Sequence, residues 1–169
     1  MRYTWYMRAN AVGKKCSEVD KAYIAGFLDA DGAIMAIIEP HAEKRYKFRV
    51  RVALKITQHD REILDWIRTV LGVGIVRANR VGDIRQTFDL HIRDRNHVQK
   101  ILESLLPFVR VKKRQAQMAL EILTMSIDSP EDLINTAKLA DTLSGLNVRS
   151  KNRRKNFVTK IQEHLSPND

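Results

Sequence analysis

Several residue types that would indicate a secreted, membrane or metal-cluster protein are scarce or absent from this sequence. Cys16 is the only cysteine in 169 residues, so neither a disulfide nor a thiolate metal site can form within one chain. No apolar run approaches the roughly 18 residues that a membrane-spanning helix requires, and we expect no membrane partner. No low-complexity linker is found, and the length suits one domain with a proper core.

Acidic residues are fewer than basic ones. There are 30 lysines and arginines against 20 aspartates and glutamates, which gives a net charge of +10. This excess predicts a polyanionic partner and favours nucleic acid, although charge alone does not separate DNA from RNA or from ribosome binding. Residues 1–8 are mixed and aromatic and do not resemble a signal peptide. We therefore expect an intracellular protein, either in the cytoplasm of a prokaryote or in an organelle.

Residues 23–32, Tyr-Ile-Ala-Gly-Phe-Leu-Asp-Ala-Asp-Gly, are the most informative segment. The pattern predicts a helix that carries Asp29 and Asp31 at its end and is closed by Gly32. Because a helix C-terminus bears roughly half a negative charge, acids there are unfavourable unless something positive offsets them.

The same helix repeats small residues at a spacing of four. Ala22, Gly26 and Ala30, with Ala25 beside them, would let two helix backbones approach closely. Taken separately, such residues often reflect ordinary core packing, and Asp-x-Asp-Gly is a common turn. Their combination favours a functional interpretation, since a core helix has no reason to end in two acids.

Residues 24–32 resemble the LAGLIDADG motif of homing endonucleases position by position. The resemblance extends from about residue 20 to residue 165. It implies an α+β fold of order α-β-β-α-β-β-α, whose antiparallel sheet forms a DNA-binding saddle, with additional C-terminal helices. We therefore expect one endonuclease domain over residues 1–169, with a motif helix at about 17–32 and a basic helical part at about 129–169.

Local patterns predict the individual elements. Residues 17–20 resemble a capping box that starts the motif helix, and Pro130 suits the first position of a later helix. Periodicity alone leaves several antiparallel α+β topologies open. The predicted strands are 33–39, 47–58, 75–79 and 85–93, and the predicted helices after the motif helix begin near residues 60, 96, 112, 130 and 156.

The strand at 47–58 alternates most clearly. Apolar side chains at even positions point one way, while the odd positions are mostly basic or hydroxylic, with no acid between Lys44 and Thr57. A mixed, merely solvated face is the ordinary alternative, but a basic strand ribbon can also lie in a major groove. The resemblance implies the matching face of the second strand pair as well. The candidates for base contacts that it gives are Arg49, Arg51, Lys55, Arg77, Asn79, Arg85 and Thr87.

Two basic clusters suit phosphate contact. Residues 110–114 open a helix, where positive charge opposes the helix dipole, so local stability does not explain them. Lys151, Arg153 and Arg154 belong to a second cluster, for which a solvated tail is an equal alternative to DNA binding.

The resemblance also implies a catalytic set. Asp31 would bind a divalent metal ion together with the backbone carbonyl of Ala30, Gln58 would orient the attacking water, and Lys112 would lie near the scissile phosphates. Mg²⁺ is the expected ion, with Mn²⁺ substituting and Ca²⁺ supporting binding without cleavage. Asp29 is expected to cap the partner helix. A basic position of the family is occupied by Glu62 here, which leaves the third member of the outer catalytic shell open, with Arg61 as a candidate.

The number of motifs decides the expected oligomer. Residues 139–145 look similar but lack the terminal acid pair, and members with one motif act as homodimers. The resemblance therefore implies a twofold dimer, whose seam consists of Ala22, Ala25, Gly26, Asp29 and Ala30.

These observations predict a site-specific endonuclease that cuts a long pseudo-palindromic double-stranded DNA site, leaves short 3′ overhangs and serves intron mobility. Two alternatives remain open. One is an RNA-splicing maturase of the same fold that binds intron RNA. The other is a DNA-binding regulator that has kept the fold and lost the chemistry.

Overall fold

The order of helices and strands follows the predicted pattern. The computed structural model describes residues 16–79, 86–147 and 155–165. The predicted boundaries agree with the observed ones to within two residues in these ranges. In chain order the elements are α1 (Glu18–Asp31), β1 (Gly32–Pro40), β2 (Phe48–Gln58), α2 (Arg61–Leu71), β3 (Ile75–Asn79), β4 (Thr87–Ile92), α3 (Arg95–Leu105), α4 (Lys113–Thr124), α5 (Pro130–Asn147) and α6 (Phe157–Leu165).

The four strands form one antiparallel sheet in the order β1-β2-β4-β3. Lys55 lies at the centre of a row of partners, opposite Ala33 of β1 and His91 of β4. Because successive side chains of a strand point to opposite faces, this register places all odd-numbered strand residues on one face and all even-numbered ones on the other. The expected α+β fold with an antiparallel sheet is confirmed.

The even-numbered face carries the core. Ile34, Val52, Leu54, Leu90 and Ile92 are all buried there, and the helices cover them. The odd-numbered face is called the saddle below. Among the described residues, no odd-numbered strand residue belongs to this cluster of buried hydrophobic residues. Within residues 16–79, 86–147 and 155–165, no helix combines the length and the apolar character needed to cross a membrane.

Helix α1 is apolar on two faces. A capping box starts it, since Ser17 and Asp20 exchange side-chain and backbone hydrogen bonds. Ile24, Ala25 and Leu28 are buried in the core, whereas Val19 and Tyr23 are exposed. The ring of Tyr23 packs edge-on against Phe27 and Trp66, so this second side of α1 is apolar but exposed.

The junction between α1 and β1 depends on Gly32. The chain leaves the helix in an extended conformation at this residue and enters the strand at once. A Cβ atom at residue 32 would lie 2.5 Å from the carbonyl oxygen of Leu28. Only glycine therefore allows Asp31 to stand directly at the edge of the sheet.

Gly74 provides a test of how closely the turn before β3 is packed. Its φ is +104°, and a Cβ there would lie 2.7 Å from Leu90 Cδ1, whereas Gly72, with φ of +71°, has no atom within 4 Å of that position. We expect Gly74→Ala to lower the free energy of unfolding by about 2–3 kcal/mol and Gly72→Ala by about 1 kcal/mol. Urea denaturation measures both, and equal losses would contradict the packing argument.

Candidate active site and nucleic-acid interface

Asp31 and Gln58 meet where α1 and β2 end. Each is the last residue of its element, and the register that pairs Gly32 with Ile56 brings the two ends together. Gln58 Nε2 donates a hydrogen bond of 2.5 Å to Asp31 Oδ2. Asp31 is exposed, so its carboxylate is held in place without being covered. Two residues that the resemblance assigned to catalysis are thus in direct contact.

Asp29 holds the turn that leads into α4. Its carboxylate accepts hydrogen bonds from the backbone N–H groups of Arg110, Val111 and Lys112, at 2.7, 3.1 and 2.9 Å. Asp29 was predicted to cap a helix of the partner, and this prediction needs correction. The carboxylate is engaged with its own chain, because the turn after α3 returns to the end of α1.

The same turn positions Lys112. Its ammonium group donates to the backbone carbonyl of Asp29, one of the last carbonyls of α1 that lack a partner within the helix. This is the positive charge that two acids at a helix C-terminus require. Lys112 thus lies beside Asp29, two residues before Asp31. The predicted catalytic residues Asp31, Gln58 and Lys112 are all at the end of α1.

The pKa of the Asp29 carboxyl lies below its usual range. Partial burial would by itself raise this pKa, but the backbone N–H groups of Arg110, Lys112 and Val111 and the charge of Lys112 act in the opposite direction and prevail. The ionised form is therefore favoured in the folded state.

The residues at the end of α1 can supply only part of a metal site. Ala30 and Asp31 are both exposed, and in the described ranges no group of three or more histidines, cysteines or acids is placed to hold a metal ion. One carboxylate and one carbonyl are too few for a closed protein site. They suit Mg²⁺, which keeps several waters and accepts phosphate oxygens as ligands.

Arg61 lies near this site without entering it. Its Nε donates to Asp65 at 3.1 Å, and its guanidinium lies 5.8 Å from the centre of the Phe88 ring. Phe88 is the strand partner of Gln58. Phe88 thus lies between Arg61 and the Asp31–Gln58 pair. The contacts of Arg61 are with Asp65 of its own helix and with the Phe88 ring.

The described candidates for DNA contact lie on the saddle. All belong to odd-numbered strand positions, opposite the buried even-numbered ones, and none is fully buried. Four of the predicted candidates lie outside the described residues: Arg85, Lys151, Arg153 and Arg154. The candidates on the saddle are Arg49, Arg51, Lys55, Arg77, Asn79 and Thr87.

The saddle also contains acids that the sequence reading missed. Glu39 lies 2.5 Å from an amino group of Arg51, and Asp89 accepts a hydrogen bond from Lys55 at 3.4 Å. The β2 segment contains no acid, but its neighbours β1 and β4 each contribute one. Pairing register decides such contacts, and the alternation within one strand does not reveal it.

His91 and Arg93 also belong to this face, although they are not among the predicted candidates for base contacts. Both lie at or just after the end of β4, beside a surface cavity of about 270 Å³ that Arg77 and His97 also line. Burial lowers the pKa of His91 and the charge of Arg93 lowers it further, and these effects outweigh the opposite effect of Asp89. The alternation within β4 could have indicated both residues.

The predicted seam residues divide into three groups, of which Asp29, half-buried and hydrogen-bonded to its own chain, is described above. Ala22, Gly26 and Ala30 are exposed and lie on one side of α1. Ala25 is fully buried within its own chain, so its assignment to the seam is wrong: the residue packs in the core beside Ile24. The helical period places it about 100° from Gly26, which turns it to the core-facing side.

We expect Asp29→Asn to reveal the capping role through the pH dependence of stability. An aspartate whose pKa is lowered on folding stabilises fully above its unfolded pKa of about 3.9, and this contribution is lost as pH falls through the folded pKa. The variant should be less stable than the native chain by roughly 1 kcal/mol at pH 7. Urea unfolding should show this difference shrinking below about pH 4, whereas a constant difference would rule out the charge as its cause.

Comparison with known proteins agrees with these features. The family model described as LAGLIDADG endonuclease matches residues 24–119. The DNA endonuclease I-CreI of Chlamydomonas reinhardtii is 31% identical over 130 residues, which cover 74% of this chain and 77% of that protein. The DNA endonuclease I-CvuI of Chlorella vulgaris is 35% identical over 136 residues, which cover 78% and 81%.

Solved structures extend the likeness to the fold. A structure of I-CvuI with the uncleaved DNA target of I-CreI in the presence of Mg superposes with a TM-score of 0.76 at 32% identity, covering 88% of this chain and 93% of that one. The archaeal intron-encoded homing endonuclease I-Vdi141I, complexed with DNA, gives a TM-score of 0.73 at 25% identity over 87% of this chain and 94% of that one. With the motif, the matched span and the fold in agreement, this chain belongs to the LAGLIDADG endonuclease family.

Proposed function

We propose that this protein is a homing endonuclease that hydrolyses both strands of a specific, long, pseudo-palindromic DNA site with the help of a divalent metal ion. The observation that carries the proposal is that the Asp31–Gln58 pair and Lys112, which binds the carbonyl of Asp29, all lie at the end of α1, beside a largely basic saddle. The relatives I-CreI and I-CvuI are DNA endonucleases, and I-CvuI has been seen on DNA with Mg and with Ca.

The chemistry divides among these side chains. Asp31 and the carbonyl of Ala30 would hold Mg²⁺, which, when bound, supplies Lewis acidity toward the phosphate oxygens. Mn²⁺ should substitute, and Ca²⁺ should support binding without cutting. Gln58 donates through Nε2 to Asp31, which leaves its Oε1 able to accept a hydrogen bond from the attacking water.

Lys112 supplies a fixed positive charge near the reacting phosphate. The ammonium group has three N–H donors, and one of them binds the backbone carbonyl of Asp29. The other two remain able to face a phosphate oxygen. A donor that is already oriented stabilises developing negative charge without having to reorganise. Asp29 is therefore a positioning residue, because it fixes the turn from which Lys112 projects.

Two copies of the chain are required for the complete enzyme. The exposed stripe of α1, formed by Val19, Ala22, Tyr23, Gly26 and Ala30, offers a partner helix a small-residue surface with apolar flanks. Pairing along it would bring two Asp31 carboxylates together near the axis and supply the ligands that one chain lacks. A twofold dimer reads two related half-sites, as intron homing into an intron-lacking allele demands, and short 3′ overhangs are expected.

Asp31→Asn separates cutting from binding. The amide cannot serve as an anionic metal ligand, so Mg²⁺-dependent cleavage should fall by roughly a hundredfold or more. DNA binding should persist, since one negative charge near the phosphates is removed. Cleavage of a randomised duplex library, with sequencing of the cut ends, measures the first effect, and a filter-binding assay measures the second.

The outcomes of that experiment discriminate between the candidate functions. One long twofold-related site, cut by the native chain and left intact by the variant, supports the nuclease. Undiminished cutting by the variant would remove Asp31 from the mechanism. A native dimer that binds DNA without cutting is a regulator. One that neither binds nor cuts the duplex library is then assayed for binding to intron RNA, which is the result expected of a maturase.

Gly26→Leu tests the seam. No atom lies within 4 Å of a Cβ at Gly26, so the larger side chain leaves the single chain folded while it separates two facing helices. We expect a monomer that no longer cuts both strands. Gly145→Leu is the matched control, because Gly145 is also helical with open space around it and lies on α5. Sedimentation velocity should show a monomer for the first variant and the native dimer for the control.

A further inference from the structure

Asp89 is an acid in the middle of the surface that we propose to face DNA. It belongs to the saddle side of β4, with Thr57 of β2 opposite it on one side and Arg77 of β3 on the other. Only 7% of its surface is exposed. An acid so placed repels phosphates and contributes nothing to the core, so its presence needs another explanation.

Both oxygens of this carboxylate are occupied by saddle side chains. Thr57 Oγ1 donates a hydrogen bond of 2.6 Å to Asp89 Oδ1. Lys55 Nζ donates to Oδ2 at 3.4 Å, and His91 Nε2 lies 3.6 Å from the same oxygen. Asp89 is therefore too covered and too engaged to read a base itself, and its influence must pass through these neighbours.

The bond from Thr57 fixes what that hydroxyl can offer to a ligand. A hydroxyl has one hydrogen and two lone pairs, so a threonine that donates inward presents only acceptor capacity outward. Lys55 has three hydrogens and no lone pair, so after one bond to Asp89 it still presents donors only. Thr57 and Lys55 are two residues apart on β2. Asp89 thus leaves Thr57 as a hydrogen-bond acceptor and Lys55 as a donor on the saddle surface.

We infer that Asp89 is a specificity-determining positioning residue, which commits Thr57 to accept a hydrogen bond from the base that it faces. In the major groove, adenine N6 and cytosine N4 are donors, whereas guanine O6 and thymine O4 are acceptors. Thr57 therefore selects a base with an exocyclic amino group. The inference rests on the proposed function, in that it requires DNA in the saddle.

Guanine and thymine would present an acceptor to Thr57, which itself offers only an acceptor. A keto oxygen opposite Thr57 Oγ1 would place two acceptors against each other, with no hydrogen available to turn outward while Asp89 holds it. We expect a preference of about tenfold for amino over keto bases at this pair, which is typical of one well-placed contact. Without Asp89 the hydroxyl rotates freely, so it can donate or accept, and the preference should fall to about twofold or less.

The test is a selection from half-site libraries, by binding in Ca²⁺ and by cleavage in Mg²⁺. The native chain is compared with Asp89→Ala, Thr57→Val and Thr57→Ser. We expect Asp89→Ala and Thr57→Val to relax the same base pair, the double variant to relax it no further, and Thr57→Ser to retain the preference. Asp89→Asn, which keeps the shape, serves if the alanine variant fails to fold. Lys55 can only donate, so it keeps the amide oxygen on its own side and turns the amide NH₂ toward Thr57, and the same relaxation is expected.

Glu39→Gln is the matched control, because Glu39 is the other acid of the saddle and pairs with Arg51. Arg51 and Thr57 are six residues apart, roughly 20 Å along the strand, so the control should change base preference several pairs away. A native preference for guanine or thymine at the pair that Thr57→Val affects would overturn the inference. So would an Asp89→Ala or Asp89→Asn variant that retains the native preference there.

The two forms of selection keep this inference apart from the proposed nuclease activity. Sequences that are bound in Ca²⁺ but never cut would refute the nuclease, while their base composition would still decide the role of Asp89. Normal cutting with unchanged preference in the Asp89 variants would refute only the present inference. If no DNA were bound, both would fall.

Discussion

The site depends on the hydrogen bonds that join the carboxylate of Asp29 to the turn before α4. Residues 110–112 are more than 80 positions away in sequence, and three backbone N–H groups there point at one carboxylate. These bonds bring Lys112 to the C-terminal carbonyls of α1 and compensate the charge that two acids would otherwise concentrate there. The second acid, Asp31, can then remain exposed and chemically available beside Gln58.

A comparable contact occurs in the segment that superficially resembles the motif, residues 139–145. Asp141 accepts hydrogen bonds from the backbone N–H groups of Phe157 and Val158, at the start of α6. Asp141 and Asp29 thus both connect one helix to backbone N–H groups at or just before the start of another, a favourable use of an acid. What distinguishes the motif is the additional acid two residues later, which has no such structural task.

In the proposed function the saddle faces DNA, and its charges show how such a surface can be basic without being indiscriminate. A face of unpaired cations would attract any polyanion through its phosphates, and that attraction carries no sequence information. Here Glu39 and Asp89 engage Arg51 and Lys55, which orients the cations and reduces their net attraction. Orientation of hydrogen-bonding groups, more than charge, is what a base edge can recognise.

The sequence by itself determined the elements and the family. The capping box at Ser17, the alternation of 48–58 and the motif at 24–32 are local patterns, governed by backbone hydrogen bonding and by the periods of helix and strand. These patterns predicted the individual elements and the basic face of β2. The topology and the set of Asp31, Gln58 and Lys112 followed from the family resemblance that the motif carries.

Only the tertiary structure decided which residues meet across elements. Ala25 turned out to be core because the direction of α1 relative to the sheet is set by packing, and helical spacing leaves it open. Asp29 binds its own chain because the turn after α3 returns to α1, and Asp89 meets Thr57 because β4 pairs with β2 in one particular register. Such contacts depend on long-range packing and strand pairing, which no local pattern encodes.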